Sequence, residues 1–116
     1  MHELALMGDI LNIVENDARQ RNFQAISNIS LVVGRFSNAM PEALAMAFDM
    51  FKAQRNTLLS EEAELTIIVE EASAMCPFCE MTYEPTQRIA VCPHCSMPGG
   101  QLKTGQTFQV QSYDGS

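Results

Sequence analysis

Apolar side chains recur at steps of three and four through the first twenty residues. Leu4, Met7, Leu11, Val14 and Ala18 form one stripe, widened by Leu6, Ile10 and Ile13. That period predicts an amphipathic helix over 3–21. Glu15 precedes Arg19, and Asp17 precedes Arg21, by four residues each. This is the favourable order for helical ion pairs, and acids early with arginines late also suit the helix dipole. Gly8 inside this pattern costs the helix about 1 kcal/mol relative to alanine; a close packing contact there is the expectation it raises.

The period then changes to two. In "ISNISLVV", residues 26–33, Ile29, Leu31 and Val33 share one face while Asn28 and Ser30 point the other way. This predicts a strand that Gly34 ends. "MPEALAMAFDMFKAQ" returns to the helical period, with Pro41 suited to the first helical position and Glu42 to the N-terminal dipole. Leu44, Phe48 and Phe51, with Ala47 beside them, are its expected buried side. "AELTIIVEE", residues 63–71, alternates again, with Leu65, Ile67 and Val69 expected inward. After the Gly99-Gly100 break, "QTFQVQSY", residues 106–113, suits a final strand carried by Phe108 and Val110.

The order is helix, strand, helix, strand, a cysteine segment, strand. It predicts an α+β fold in which two helices pack on a small, mainly three-stranded sheet. Residues 1–72 plus 106–116 form that α/β domain. Residues 73–105 form an inserted, zinc-ribbon-like module.

Composition narrows the function. At 116 residues the chain suits one domain, or a small domain plus a module. A formal net charge of −7 argues against nucleic acid and against anionic membranes, since both call for basic patches. Apolar runs such as Leu31 to Val33 are too short to insert into a bilayer. Glu3, Asp9 and Glu15 interrupt any signal-peptide core. A cytoplasmic, reducing location is expected, where paired cysteines are more often metal ligands than structural disulfides.

All four cysteines lie in "CPFCEMTYEPTQRIAVCPHC", residues 76–95, as two C-x-x-C pairs with twelve residues between them. Each pair can aim two sulfurs at one ion, and two pairs complete a closed tetrahedron of thiolates at Cys76, Cys79, Cys92 and Cys95. Few large apolar side chains accompany them, so a metal must supply much of the module's folding energy. Structural zinc is the leading reading. Rubredoxin-like iron uses the same ligands, but the aromatic surroundings reduce to Phe78 and Tyr83. Two disulfides are disfavoured by the compartment, and a thioredoxin-type redox pair by its need for one C-x-x-C at a helix start. Glu80 and Glu84 against Arg88, with a formally dianionic zinc–thiolate centre, make a poor partner for phosphate. His94 is either a fifth donor or an exposed knuckle side chain. Met75, Met81 and Met97 flank the cysteines as a soft copper set or as gap fillers.

The other histidine is His2, in "MHELALM". A lone terminal histidine is usually a solvated tail residue. Yet a free α-amine, an imidazole one residue later and deprotonated backbone amides can supply several nitrogens to one cation. Such in-plane sets suit Ni(II) or Cu(II) over zinc. The set requires an uncapped chain start with His2 second.

The opening "MHELALM", "GRFSNAMPEALAMAF" at 34–48, "AELTIIVEE" and the two C-P-x-C knuckles resemble the HypA/HybF family of hydrogenase nickel-incorporation accessory proteins, over essentially the whole chain. An initial Met-His-Glu combined with a late pair of C-x-x-C motifs is far more specific than either part. The resemblance implies a nickel metallochaperone that delivers Ni(2+) as transient cargo during maturation of [NiFe]-hydrogenase, with urease as a further client. It implies nickel at Met1, His2 and Glu3, the first and last mainly through the terminal amine and backbone. It implies structural Zn(2+) at Cys76, Cys79, Cys92 and Cys95. Implied partners are a nickel-handling maturation GTPase and the hydrogenase large subunit, with the protein itself a monomer or homodimer. No enzyme is expected, because no metal-free Cys–His dyad, phosphate-binding glycine loop or open zinc position appears. The rivals are a zinc-ribbon interaction adaptor without nickel function and an iron–thiolate electron carrier.

Three departures from the family pattern stand out. Glu80 and Ser96 occupy positions after the cysteine pairs where glycine is usual and eases a tight turn. Gly34-Arg35 replaces the usual Gly-Glu, a reversal expected to alter a partner surface. The polar tail after Tyr113 is short, so a weak last strand is expected.

Overall fold

The computed structural model describes residues 2–86 and 90–116. The elements run α1 (His2–Gln20), β1 (Ile26–Gly34), α2 (Pro41–Gln54), β2 (Leu59–Glu70), β3 (Ser73–Met75), β4 (Thr82–Tyr83), β5 (Gln101–Thr104) and β6 (Phe108–Gly115). Two three-stranded sheets result, ordered β2-β1-β6 and β4-β3-β5. The chain divides into two compact units. One holds Met1–Val32, Ala39–Ile68 and Gln109–Ser116; the other holds Val33–Asn38 and Val69–Phe108.

In the first unit, both helices form where the 3.6-residue stripe demands burial. Met7, Leu11, Val14 and Ala18 of α1 are almost fully buried, as are Leu44, Ala47 and Phe48 of α2 and Ile26, Ile29 and Leu31 of β1. Phe51 is only partly buried. Gly8 is where α1 meets α2: a Cβ built there would lie 3.4 Å from Phe51 Cζ. Pro41 opens α2 at its first turn, and Arg55 closes it in the left-handed region, its N–H bonded to the Lys52 carbonyl. The two helical ion pairs form, Arg19 with Glu15 at 3.4 Å and Arg21 with Asp17 at 2.9 Å. Glu15 is itself buried, and its second oxygen accepts the Leu58 N–H at 3.0 Å. The Tyr113 hydroxyl donates to Asp17, so β6 is tied to α1. β6 runs to Gly115, and Ser116 exchanges backbone hydrogen bonds with Ala25. The expected weak last strand is not what forms, because the tail is paired to its end.

Two expectations for β2 change. It begins at Leu59, before the alternation at 63–71. Val69 is 42% exposed rather than inward, and Leu65 and Ile67 are only half-buried. β2 lies at the edge of its sheet, where one flank has no neighbouring strand to cover it, so its inward face is buried only in part.

The second unit has a small sheet. β3 pairs antiparallel with both neighbours, Ala74 opposite Tyr83 and Leu102. Glu70 anchors the approach to it: one carboxylate oxygen accepts the Gly105 N–H at 2.7 Å, the other the Thr107 hydroxyl at 3.0 Å. Arg35 makes a two-pronged pair with Glu71 at 2.5 and 2.9 Å. The reversed charge at position 35 thus has a partner within the chain.

Candidate metal sites

The cysteine segment folds into two matching knuckles. In the first, Cys76 N–H donates to the Met81 carbonyl at 3.0 Å and Glu80 N–H to the Cys76 carbonyl at 2.9 Å. In the second, Cys92 N–H donates to Met97 at 3.0 Å and Ser96 N–H to Cys92 at 2.8 Å. Closing each turn requires a left-handed residue, and Glu80 and Ser96 supply it at φ 61° and 62°. These are the two positions where the sequence lacks the usual glycine. The flanking methionines act through their carbonyls, while the side chains of Met81 and Met97 are exposed.

The knuckles bring all four sulfurs within 4.8 Å of one another. The close pairs join opposite knuckles: Cys76 to Cys95 at 3.5 Å and Cys79 to Cys92 at 3.6 Å. All four thiols are free, Cys76 and Cys92 buried and Cys79 and Cys95 exposed. Sulfurs about 2.3 Å from one tetrahedral ion lie roughly 3.8 Å apart, whereas a disulfide holds them near 2.05 Å. The cage therefore matches a single four-thiolate ion better than two dithiol pairs. Its electrostatics divide the four thiols: the N–H groups of Met81 and Met97 favour ionisation of Cys79 and Cys95, but burial and hydrogen bonds to the other sulfurs outweigh them, pushing Cys79 up to about 12 and raising Cys95, while the other two thiols are lowered. The Cys79 backbone N–H points at Cys76 and, joined by Phe78 N–H against the opposing effect of burial, brings that thiol down from 9.0 to about 6. Cys92 is likewise lowered: burial opposes ionisation, and the N–H groups of Cys95 and His94 outweigh it. His94 is exposed, and the cage is complete without it. Arg88, weighed in the sequence against Glu80 and Glu84, lies outside the described residues.

Behind the cage sits a small core of Ala74, Cys76, Tyr83, Ala90 and Cys92, with Leu102 packed against it. Burial first, then the charges of Cys92 and the other cysteines, raise the Tyr83 ionisation above its ordinary 10.0, so the hydroxyl keeps its proton. The sequence singled out Tyr83 only as an aromatic; its burial became visible once β4 paired with β3.

At the other end, Met1 lies outside the described residues. His2 is the first residue of α1 and is exposed. Glu3 turns its carboxylate elsewhere: Oε2 accepts the Met40 N–H at 3.2 Å, at the start of a helix that has no side-chain cap of its own. Glu3's own N–H and then that of Met40 hold its carboxyl below the ordinary 4.5. Among the described residues, the cysteine cage is the one cluster of three or more histidine, cysteine or acidic side chains placed to hold a metal, and His2 and Glu3 are not in it.

A family model described as "Hydrogenase/urease nickel incorporation, metallochaperone, hypA" matches residues 1–115. The chain belongs to the HypA family. It is 32% identical over 114 residues to Hydrogenase maturation factor HypA 2 of Bradyrhizobium diazoefficiens, covering 98% of each chain. It is 37% identical over 95 residues to the HypA of Xanthobacter autotrophicus, covering 82% of this chain and 81% of that one. Among solved structures, the solution structure of a HypA protein superposes with a TM-score of 0.68 at 20% identity, covering 100% of this chain and 97% of that one. That of the Ni metallochaperone HypA from Helicobacter pylori gives 0.64 at 19%, covering 97% and 96%. These two establish the shared fold. As a HypA-family protein the chain is a nickel metallochaperone of hydrogenase maturation and not an enzyme. Nickel is its cargo, and the four-cysteine cage is consistent with its structural zinc. An adaptor without nickel function is not favoured. No helix among the described residues is long and apolar enough to cross a membrane.

Proposed function

We propose that nickel binds at the chain start, through the Met1 amine, the His2 imidazole and backbone nitrogens reaching to Glu3, and that zinc binds at Cys76, Cys79, Cys92 and Cys95. The observation that supports the nickel assignment is the division of labour at positions 2 and 3. His2 is exposed at the first turn of α1, while the Glu3 carboxylate is occupied with Met40 at 3.2 Å. Glu3 then serves nickel through its backbone, and its side chain fixes where the arm begins. Nitrogen-rich in-plane donors favour Ni(II) over zinc, and a closed thiolate tetrahedron favours zinc. The two ions thereby sort themselves between the two places.

In this reading, residues 1–72 plus 106–116 are the nickel-binding domain and 73–105 the inserted zinc module. The protein works in the cytoplasm, receiving or passing nickel together with a maturation GTPase and delivering it to the hydrogenase large subunit, with urease a second client. The test is calorimetry on protein with a verified free Met1 amine. The wild type should take up one nickel beside one tightly held zinc. His2→Ala should lose nickel uptake and keep both zinc and helical content. Unchanged nickel binding in that variant would overturn the assignment.

A further inference from the structure

Thiolate sulfur holds a metal, and it is also the ligand atom most easily oxidised, first to sulfenic acid and then to disulfide. Each knuckle carries one buried and one exposed cysteine, Cys76 with Cys79 and Cys92 with Cys95. Oxidant arriving from solvent therefore meets Cys79 and Cys95 first. All four sulfurs lie within 4.8 Å of one another, so each exposed sulfur has its C-x-x-C neighbour in reach. The buried sulfur of the opposite knuckle stands at contact: Cys76 is 3.5 Å from Cys95, and Cys92 is 3.6 Å from Cys79. Reacting atoms held at about 3–3.5 Å are already in near-attack range. A side-chain rotation then brings sulfurs to the bond length of about 2.05 Å. The backbone turns stay in place meanwhile, held by Glu80 N–H on the Cys76 carbonyl and Ser96 N–H on the Cys92 carbonyl.

We propose that the four cysteines are also an oxidation site for hydroperoxides, which close them into disulfides across the knuckles, Cys76 to Cys95 and Cys79 to Cys92, and discharge the ion. The inference rests on the zinc reading for what is discharged; the pairing rests on the sulfurs alone. One hydroperoxide, ROOH, oxidises one pair. An electron pair of the exposed sulfur breaks the O–O bond, giving S–OH and ROH. The buried thiol across the cage attacks that sulfur, an S–S bond forms, and the hydroxyl leaves with the thiol proton as water. Two hydroperoxides thus convert four thiols into two disulfides, two ROH and two waters. A disulfide sulfur is no thiolate and holds no metal.

Cross bonds also take over the mechanical role of the ion. The module's buried core is Ala74, Cys76, Tyr83, Ala90 and Cys92, too little apolar surface to hold two knuckles together unaided. Bonds within each C-x-x-C would leave the knuckles unjoined, whereas cross bonds staple one to the other. The oxidised module is then folded and metal-free, and a dithiol reverses it. Transient, redox-sensing disulfides of this kind are the ones that reducing compartments contain.

The experiment treats the whole zinc-loaded chain with two equivalents of hydrogen peroxide, blocks the remaining thiols and digests with trypsin without reductant. Arg88 separates the two knuckles, and Arg55 and Lys103 bound them, so each knuckle falls in its own peptide. Zinc release, read with a chromogenic indicator, should approach one ion per two peroxides. The two peptides should stay joined, lighter than their sum by four hydrogens. Partial reduction with labelling should assign Cys76 to Cys95 and Cys79 to Cys92, and dithiothreitol should restore zinc uptake. Separate peptides with local disulfides, the other cross pairing, sulfinic acids, zinc kept on unchanged thiols, or no recovery with dithiothreitol would each overturn the proposal. A chain that holds no ion before peroxide would sink the zinc reading instead, and the same digest of that reduced chain still decides the sulfur pairing.

Discussion

Among the described residues, three that are neither glycine nor asparagine sit in the left-handed region: Arg55, Glu80 and Ser96, at φ 58°, 61° and 62°. For a side chain with a Cβ, that conformation costs on the order of 1 kcal/mol or more. Two of the three close the knuckles that carry the four cysteines, so the strain is stored where the turn must be tight. Glu80→Gly and Ser96→Gly should each stabilise the metal-loaded protein by about 1 kcal/mol, read as a rise in thermal midpoint and slower zinc transfer to a chelator. The cost was legible in the sequence, because a C-x-x-C knuckle imposes its turn geometry whatever residue follows. The role of Arg35 was not. Its partner Glu71 stands far along the chain, and a charge reversal reads as a changed outer surface until the fold brings the two within 2.5 Å.

At the scale of elements, Gly8 carries a local helix penalty that the contact with Phe51 does not itself require. A methyl group at this position meets Phe51 Cζ at 3.4 Å, ordinary contact distance, while anything longer meets the ring. Gly8→Ala should therefore stabilise the helix by roughly 0.5–1 kcal/mol. Gly8→Leu should destabilise the protein by about 1–3 kcal/mol through overpacking. Denaturant midpoints of the two variants should move in opposite directions. Both helices and β1 were readable because their periods persist over nine or more residues. β3, β4 and β5 have three, two and four residues, too few for any period to declare itself. They exist because the knuckles bring their backbones together. The early start of β2 was hidden by Glu61 and Glu62, which an edge strand accommodates on its open side.

At the scale of the whole molecule, a chain of net charge −7 keeps its critical carboxylates ionised by giving them donors. Asp17 is lowered first by the Tyr113 hydroxyl and then by Arg21. Glu70 is lowered first by the Gly105 N–H, with Thr107 adding to it against burial. Glu71 is lowered by Arg35. Each binds its proton less readily folded than unfolded, so each contribution is complete above the ordinary values of 3.8 and 4.5. It is lost as pH falls through the lowered folded values. Tyr113 runs the other way, its ionisation raised above 10.0 chiefly by Asp17. That contribution is complete below 10.0 and is lost as pH rises through the raised folded value. Unfolding followed by circular dichroism should show a broad plateau, with a decline beginning below about pH 4.5. In Tyr113→Phe the alkaline decline should weaken.

The proposed division of two ions rests on donor chemistry at two sequence positions that no periodicity connects. The cage could be read from spacing, since four cysteines in two knuckles leave little geometric freedom. The proposed nitrogen set at the start comes from combining His2 with its nearness in sequence to the amine, and Glu3's engagement with Met40 emerged once the starts of both helices were placed. X-ray absorption at the nickel and zinc edges of one doubly loaded sample tests this arrangement most directly. The account predicts zinc surrounded by four sulfurs at about 2.3 Å, and nickel surrounded by nitrogen and oxygen alone. A sulfur shell around nickel, or zinc displaced from its sulfurs as nickel enters, would contradict it.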